Sequence, residues 1–162
     1  MTEPLTRSKE VRHFTVRGQP APQGSKVAFV NKHTGRAQML ESSKVGVDAW
    51  RSDVRAAATD FLRGQPPMIG PVAVKITFTQ ARPKGHYGTG RNAGVLKASA
   101  PEFPTGRPDI DKLVRSTFDA MTKLMFEDDS KVIVLRAQKL YGEPGAMITI
   151  SSLALIDTTP TD

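Results

Sequence analysis

The 162-residue sequence contains no cysteine, which excludes a disulfide framework, a cysteine-ligated zinc or iron–sulfur site and a thiol nucleophile. It also lacks any apolar run that approaches the roughly 18 residues needed to span a membrane. The first ten residues are polar and of mixed charge, unlike a secretory signal. We therefore expect a cytoplasmic protein that contacts no membrane and forms one domain, since this length hardly suits two.

Three other kinds of site lack their sequence signatures. The histidines at positions 13, 33 and 86 have no metal-ligand spacing and give little support to a Ser–His–Asp triad. The glycine-rich segment 85–90 is followed by neither Gly-Lys-Ser/Thr nor an apolar helix, which argues against a P-loop or dinucleotide site. An EF-hand starting at Asp109 is excluded because its sixth position is Val114, where glycine is required. We expect no small-molecule cofactor.

Apolar periodicity predicts a small α+β (mixed α/β) domain. Strands are predicted over residues 13–16, 27–30, 37–40, 72–79, 132–140 and 146–155, the fifth as a buried strand. A first helix is predicted from apolar residues that step by three or four, namely Val47, Trp50, Val54, Ala57 and Phe61. A second helix is predicted from Asp109 to Met125. We expect a small mixed sheet with both helices packed on it.

We expect the domain to occupy residues 11–156, between flexible tails at 1–10 and 157–162. Residues 80–107 form a long stretch without periodicity, which we interpret as a basic loop rich in glycine. Such a loop is either a surface insertion or a mobile arm that contacts nucleic acid, with His86 and Tyr87 available to stack on bases. The sequence leaves both interpretations open.

Charge is distributed unevenly along the chain. Residues 1–107 contain 17 Lys or Arg against 7 Asp or Glu, whereas residues 108–162 contain 6 against 9, and the net charge is +7. The basic surplus points to a polyanionic partner. Six of the nine acids fall in one short segment: Asp109, Asp111, Asp119, Glu127, Asp128 and Asp129. They are either solvated helix and turn acids or a divalent-cation site framed by basic surface.

The interpretation of these acids as a divalent-cation site rests on their spacing. Asp109 and Asp111 alternate, so in an extended segment they share a side, and Asp128 or Asp129 would supply a third carboxylate. Hard carboxylate oxygens suit Mg²⁺ or Mn²⁺. Arg115 lies one helical turn after Asp111, placed to meet phosphate charge. The alternative is that these acids are helix caps and turn residues.

Residues 106–132 resemble the RusA family of Holliday junction resolvases. The segments that carry the resemblance are Gly106-Arg107-Pro108-Asp109-Ile110-Asp111-Lys112-Leu113-Val114-Arg115, Phe118-Asp119-Ala120-Met121 and Glu127-Asp128-Asp129-Ser130-Lys131-Val132. The family's pattern is Pro-Asp-x-Asp-Asn-Leu-x-Lys, followed by Asp-Ala-Leu and Asp-Asp-x-x-Val. Residues 18–26 are also similar to the Gly-x-Pro start of phage and prophage members.

The resemblance implies a homodimeric, Mg²⁺-dependent endonuclease, with Mn²⁺ as a possible substitute, that resolves four-way DNA junctions by paired symmetric nicks during recombination and repair. Asp109, Asp111 and Asp129 match the family's catalytic, metal-binding acids, and Asp128 is their neighbour. A dimer also suits the two-fold symmetry of the junction, because one domain holds one site and resolution needs two cuts.

Two departures from the family's pattern leave alternatives open. Lys112 stands where the family has Asn, and Arg115 stands where it has a catalytic Lys. Arginine has too high a pKa to donate a proton easily, so either residue is a candidate for the catalytic cation. The alternative functions are a catalytically weakened protein that binds branched DNA and a broad nuclease for flaps and branches.

The remaining basic residues are candidates for contacts with the DNA backbone, which fix position rather than sequence. They are Lys26, Lys32, Arg36, Arg82, Lys84, Arg91, Arg107 and Lys139. Lys139 lies where the RusA family, which this sequence resembles, often has a lysine on the strand after the pair Asp128-Asp129.

Overall fold

A computed structural model of the chain describes the backbone of residues 6–24, 26–30, 32–41 and 44–155, and the side chains of residues 10–24, 32–36 and 46–153. The strands within these residues are β1 (Thr6–Arg17), β2 (Lys26–Val30), β3 (Ala37–Glu41), β4 (Val72–Gln80), β5 (Val132–Tyr141) and β6 (Gly145–Leu155). The helices are α1 (Lys44–Leu62) and α2 (Ile110–Met121). The predicted α+β class is confirmed.

The main sheet has the strand order β1-β6-β4-β5. β4 pairs in parallel with β5, while the other two pairings are antiparallel. The alternation of apolar and polar residues in β4 reflects burial of one face of the strand. Val74, Ile76 and Phe78 are buried, while Lys75, between Val74 and Ile76, is exposed. β2 and β3 form a separate hairpin, as the turn between them predicted.

Both helices contribute to a single core with the sheet. Val47, Trp50 and Val54 of α1 are fully buried, together with Leu113 and Met121 of α2. The Trp50 indole Nε1 donates a buried hydrogen bond of 3.0 Å to Thr117 Oγ1, which ties α1 to α2. Neither helix is long and apolar enough to cross a membrane, within the residues that the structure describes.

α2 runs from the far end of β5 back toward its start. The backbone just before α2 is hydrogen-bonded by Lys139, near the end of β5. After Met121 the chain turns, and Met68, just before β4, donates its amide to Met125 O at 2.9 Å. β5 then starts at Val132 beside the start of β4. A 12-residue helix is about 18 Å long, so the two ends of α2 are well separated.

The structure differs from the predicted elements at the start of β1 and at the end of α2. β1 begins at Thr6 and includes residues 6–10 of the expected N-terminal tail, whereas residues 1–5 and 156–162 lie outside the described residues. α2 ends at Met121 rather than Met125, because Thr122 leaves the helical conformation and the next residues form a turn.

Residues 132–140 lie in a strand as predicted, but the prediction that this strand is buried is wrong. Ile133 is 65% exposed, Val134 is 43% exposed and Leu135 is 45% exposed. Their exposure follows from topology, because β5 is the edge of the main sheet and α2 contacts it only sparsely. A continuous apolar run shows that a strand has two apolar faces, but it does not show what covers them.

Candidate active site

Asp109 lies directly before the first residue of α2 with its carboxylate open to solvent. It occupies the N-cap position, yet its side chain accepts no capping hydrogen bond. Its Oδ2 instead lies 3.2 Å from the Nζ of Lys112, and both side chains are about half exposed, at 52% and 40%. The Asp109 carboxylate is therefore available to a ligand at the positive end of the helix dipole.

Asp111 follows in the first turn of α2 and is exposed. No hydrogen bond or ion pair within the described part of the chain engages its carboxylate. Arg115, one turn later, is exposed as well. The start of α2 thus presents two carboxylates together with the cations of Lys112 and Arg115.

A groove of about 610 Å³ adjoins Asp109. One wall is residues 19–24, which are held along α2 because Gln23 N donates to Lys112 O at 3.1 Å and Ser116 Oγ donates to Ala21 O at 2.6 Å. The rest of the lining includes Arg107, Asp109 and Lys112. The groove therefore combines one carboxylate with two cations, a composition suited to a phosphate-bearing ligand and a bound cation.

Lys139 holds the backbone that leads into Asp109. Its Nζ donates to Gly106 O and to Pro108 O, both at 2.9 Å, across the cis Arg107–Pro108 peptide bond. Two of the three N–H donors of its ammonium are therefore bonded to main-chain carbonyls. In this structure Lys139 fixes a backbone segment of the site, and its role as a DNA contact stays a prediction.

Asp128 and Asp129 lie at the other end of α2, before β5. Asp128 Oδ1 accepts a hydrogen bond of 3.0 Å from Ser130 N and caps the single helical turn Asp129–Lys131. That backbone hydrogen bond, aided by the Ser130 hydroxyl, lowers the pKa of the Asp128 carboxyl below its ordinary value. Asp128 is therefore ionised at neutral pH and already serves as a cap.

One chain does not bring the two acid pairs together. Asp109 and Asp111 precede and begin α2, whereas Asp128 and Asp129 follow its end, beside the starts of β4 and β5. In the described residues no group of three or more His, Cys, Asp or Glu side chains is placed to hold a metal ion. The donor oxygens suit Mg²⁺ in chemistry, but their arrangement in a single subunit does not form the predicted three-carboxylate site.

The predicted basic contacts have different surroundings. Arg107 is exposed and lines the groove, and Lys84 and Arg91 are exposed in the basic loop. Lys32 and Arg36 are exposed between β2 and β3, while the side chain of Lys26 lies outside the described residues. Arg82 is committed elsewhere, since its guanidinium lies 4.0 Å from the centre of the Tyr141 ring and donates to Pro101 O at 2.6 Å.

The basic loop has more local structure than its sequence predicts. It contains short helical turns at Lys84–His86 and Gly90–Asn92, and Lys97 Nζ donates to Gly85 O at 2.8 Å. Arg82 and Lys97, two of the loop's cations, therefore bind carbonyl oxygens of the loop itself.

Gln80, at the end of β4, lines a second cavity next to Arg107 and Pro108. No motif marks Gln80 in the sequence, and its position in the cavity depends on tertiary structure alone.

Comparisons with known proteins identify relatives across most of the chain. A family model described as "Endodeoxyribonuclease RusA" matches residues 18–151, which include the groove, all four aspartates and Lys139. "Uncharacterized protein YqaN" of Bacillus subtilis (strain 168) is 27% identical over 135 residues, which cover 80% of this chain and 87% of that protein.

We predict that Lys139→Met lowers the free energy of unfolding by about 1–3 kcal/mol, because charge-assisted hydrogen bonds to two carbonyls are lost. Urea denaturation followed by circular dichroism measures the change. Lys75→Met on the exposed side of β4 is the matched control, with an expected change within about 0.5 kcal/mol. Equal stability of the two variants would contradict the anchoring role.

Proposed function

This chain belongs to the RusA family of endodeoxyribonucleases, and we propose that it is a divalent-metal-dependent nuclease of the cytoplasm. Its proposed activity is to resolve four-way DNA junctions by paired, symmetric nicks. The observation that carries the proposal is the start of α2, where the open carboxylate of Asp109 lines a groove together with Arg107 and Lys112. The exposed carboxylate of Asp111 follows in the first turn of the helix. The resemblance of residues 106–132 to this family's resolvases is confirmed at the level of the family.

The cations at the groove favour a phosphate backbone as ligand. Arg107 and Lys112 supply positive charge on either side of Asp109, and Arg115 supplies more along α2. Of Lys112 and Arg115, we assign the role of the catalytic cation that can donate a proton to Lys112. Its ammonium lines the groove 3.2 Å from Asp109, whereas arginine releases protons poorly. Mg²⁺ or Mn²⁺ when bound would offset negative charge on the phosphodiester.

The single chain lacks the third carboxylate, and a homodimer supplies it. β5 is an edge strand that pairs only with β4 among the described residues, and its first half exposes Ile133, Val134 and Leu135. Unpaired apolar edges favour addition of another strand. We propose that β5 pairs antiparallel with β5 of a second copy.

Antiparallel pairing has a definite consequence for the acids. The start of β5 in one subunit would lie beside the end of β5 in the other, because a two-fold axis reverses the strand direction. Asp129 of the partner subunit would then approach the end of β5 where Lys139 holds the segment before Asp109. Two equivalent composite sites would result, one for each of the two nicks.

The activity is tested with a synthetic four-way junction, a flap and a linear duplex, each with Mg²⁺ and with EDTA. We expect paired nicks in the junction alone, and only with the metal. Asp111→Asn should abolish cleavage and keep or tighten junction binding, because it removes a carboxylate that faces both the metal and the DNA. Junction binding without any cleavage would support a weakened DNA-binding protein instead, and equal cutting of flap and junction would support a broad nuclease.

A second prediction separates the roles of Asp128 and Asp129. Asp128→Asn should keep cleavage within about threefold, because asparagine caps a helical turn as well as aspartate does. Asp129→Asn should abolish cleavage, since its carboxylate is the one assigned to the composite site. Single-turnover cleavage of the junction measures both, with gel-shift binding in EDTA as the control for folding. Loss of cleavage in Asp128→Asn alone would reverse the assignment.

A further inference from the structure

A second cavity adjoins the groove at Arg107 and Pro108. Its volume is about 410 Å³, and Gln19, Arg107 and Pro108 line both spaces. Its other lining residues include Gln80, His86, Pro101, Pro104 and Tyr141. A group bound there would lie next to the segment that presents Asp109.

The walls of this cavity are held by contacts that do not depend on a ligand. The Arg82 guanidinium lies 4.0 Å from the centre of the Tyr141 ring and donates to the carbonyls of Pro101 and Glu102. The His86 ring meets the Tyr141 ring edge-on, with 5.8 Å between their centres. The cavity is therefore preformed, and its proline and tyrosine side chains offer apolar surface to a planar ring.

Two buried polar atoms in the lining have no partner. Gln80 is only 8% exposed, and its Nε2 makes no hydrogen bond in the described part of the chain. The same holds for Nδ1 of His86. Buried polar groups are almost always hydrogen-bonded, because leaving them unpaired is costly. The Gln80 amide and the His86 imidazole nitrogen line the same cavity. Together they suit a ligand that carries both hydrogen-bond donors and acceptors on its edge.

We infer that this cavity receives one unstacked nucleobase of the strand that is cut, beside the scissile phosphate. A nucleobase is planar, stacks on flat side chains and presents hydrogen-bonding groups that glutamine recognises. Nucleotides at a branch point leave the stack at a lower cost than those within a duplex. The inference rests on the proposed function, and it makes Gln80 a determinant of the sequence at which the junction is cut.

The test uses Gln80→Leu, with Gln65→Leu in the exposed segment that follows α1 as matched control. Four-way junctions that carry one abasic position, moved stepwise through the crossover, are bound in EDTA. Wild type and Gln65→Leu should lose about tenfold in affinity at one position, the value of one good base contact. Gln80→Leu should lose clearly less than tenfold at that position, because only the stacking contact remains. Its unfolding midpoint should be no lower than that of wild type, because the substitution removes an unpaired buried donor.

Cleavage of intact junctions in Mg²⁺ gives a second readout. Wild type should cut at a restricted set of sequences, and Gln80→Leu should spread its cuts over more positions. The inference is overturned if wild type binds every abasic junction equally, or if Gln80→Leu keeps the full tenfold loss at that position. Failure of wild type to cleave would contradict the resolvase activity and leave the binding test intact, whereas failure to bind any junction would overturn both.

Discussion

The direction in which α2 packs against the sheet determines where every charged group of the site lies. The helix is fixed by the buried Leu113 and Met121 and by the hydrogen bond from Trp50 to Thr117. Because α2 runs back along β5, its start carries Asp109 and Asp111 and its end leads to Asp128 and Asp129. The core thereby separates the two acid pairs that our proposed metal site would have to combine, and the proposed second subunit is the simplest way to combine them.

The segment before α2 connects this packing to the chemistry. Lys139 reaches from β5 to the carbonyls of Gly106 and Pro108, so the strand that we assign to the dimer interface also positions Asp109. Arg107 and Pro108 in turn line both the groove and the second cavity. One short stretch of backbone thus relates the proposed dimer, the proposed metal ligands and the base that we place beside the cut.

Periodicity predicted the elements well because it reports directly on burial. The alternation in β4 and the turn between β2 and β3 were sufficient to place those strands, and the spacing of Val47, Trp50 and Val54 was sufficient to place α1. The family pattern between residues 106 and 132 was likewise readable without a structure. Each of these features depends on residues that are close in sequence.

What the sequence could not show depends on contacts between distant residues. Asp111 and Asp129 belong to one short acidic segment of the sequence, yet α2 places them at opposite ends of the helix in the fold. The apolar run of β5 did not show that it lies at an edge, and the positive charge of Arg82 did not show that Tyr141 and two carbonyls engage it. Gln80 has no neighbouring motif, so only the cavity around it suggests a role.

Subunit mixing tests the composite site most directly. Asp111→Asn and Asp129→Asn homodimers should both be inactive, but their heterodimer would contain one site with neither substitution. The account predicts that mixing the two inactive variants, after dissociation and reassociation, restores single nicks in a four-way junction with Mg²⁺. If each site were built within one subunit, both sites of the heterodimer would carry a substitution. A mixture that forms heterodimers and stays inactive would contradict the composite site.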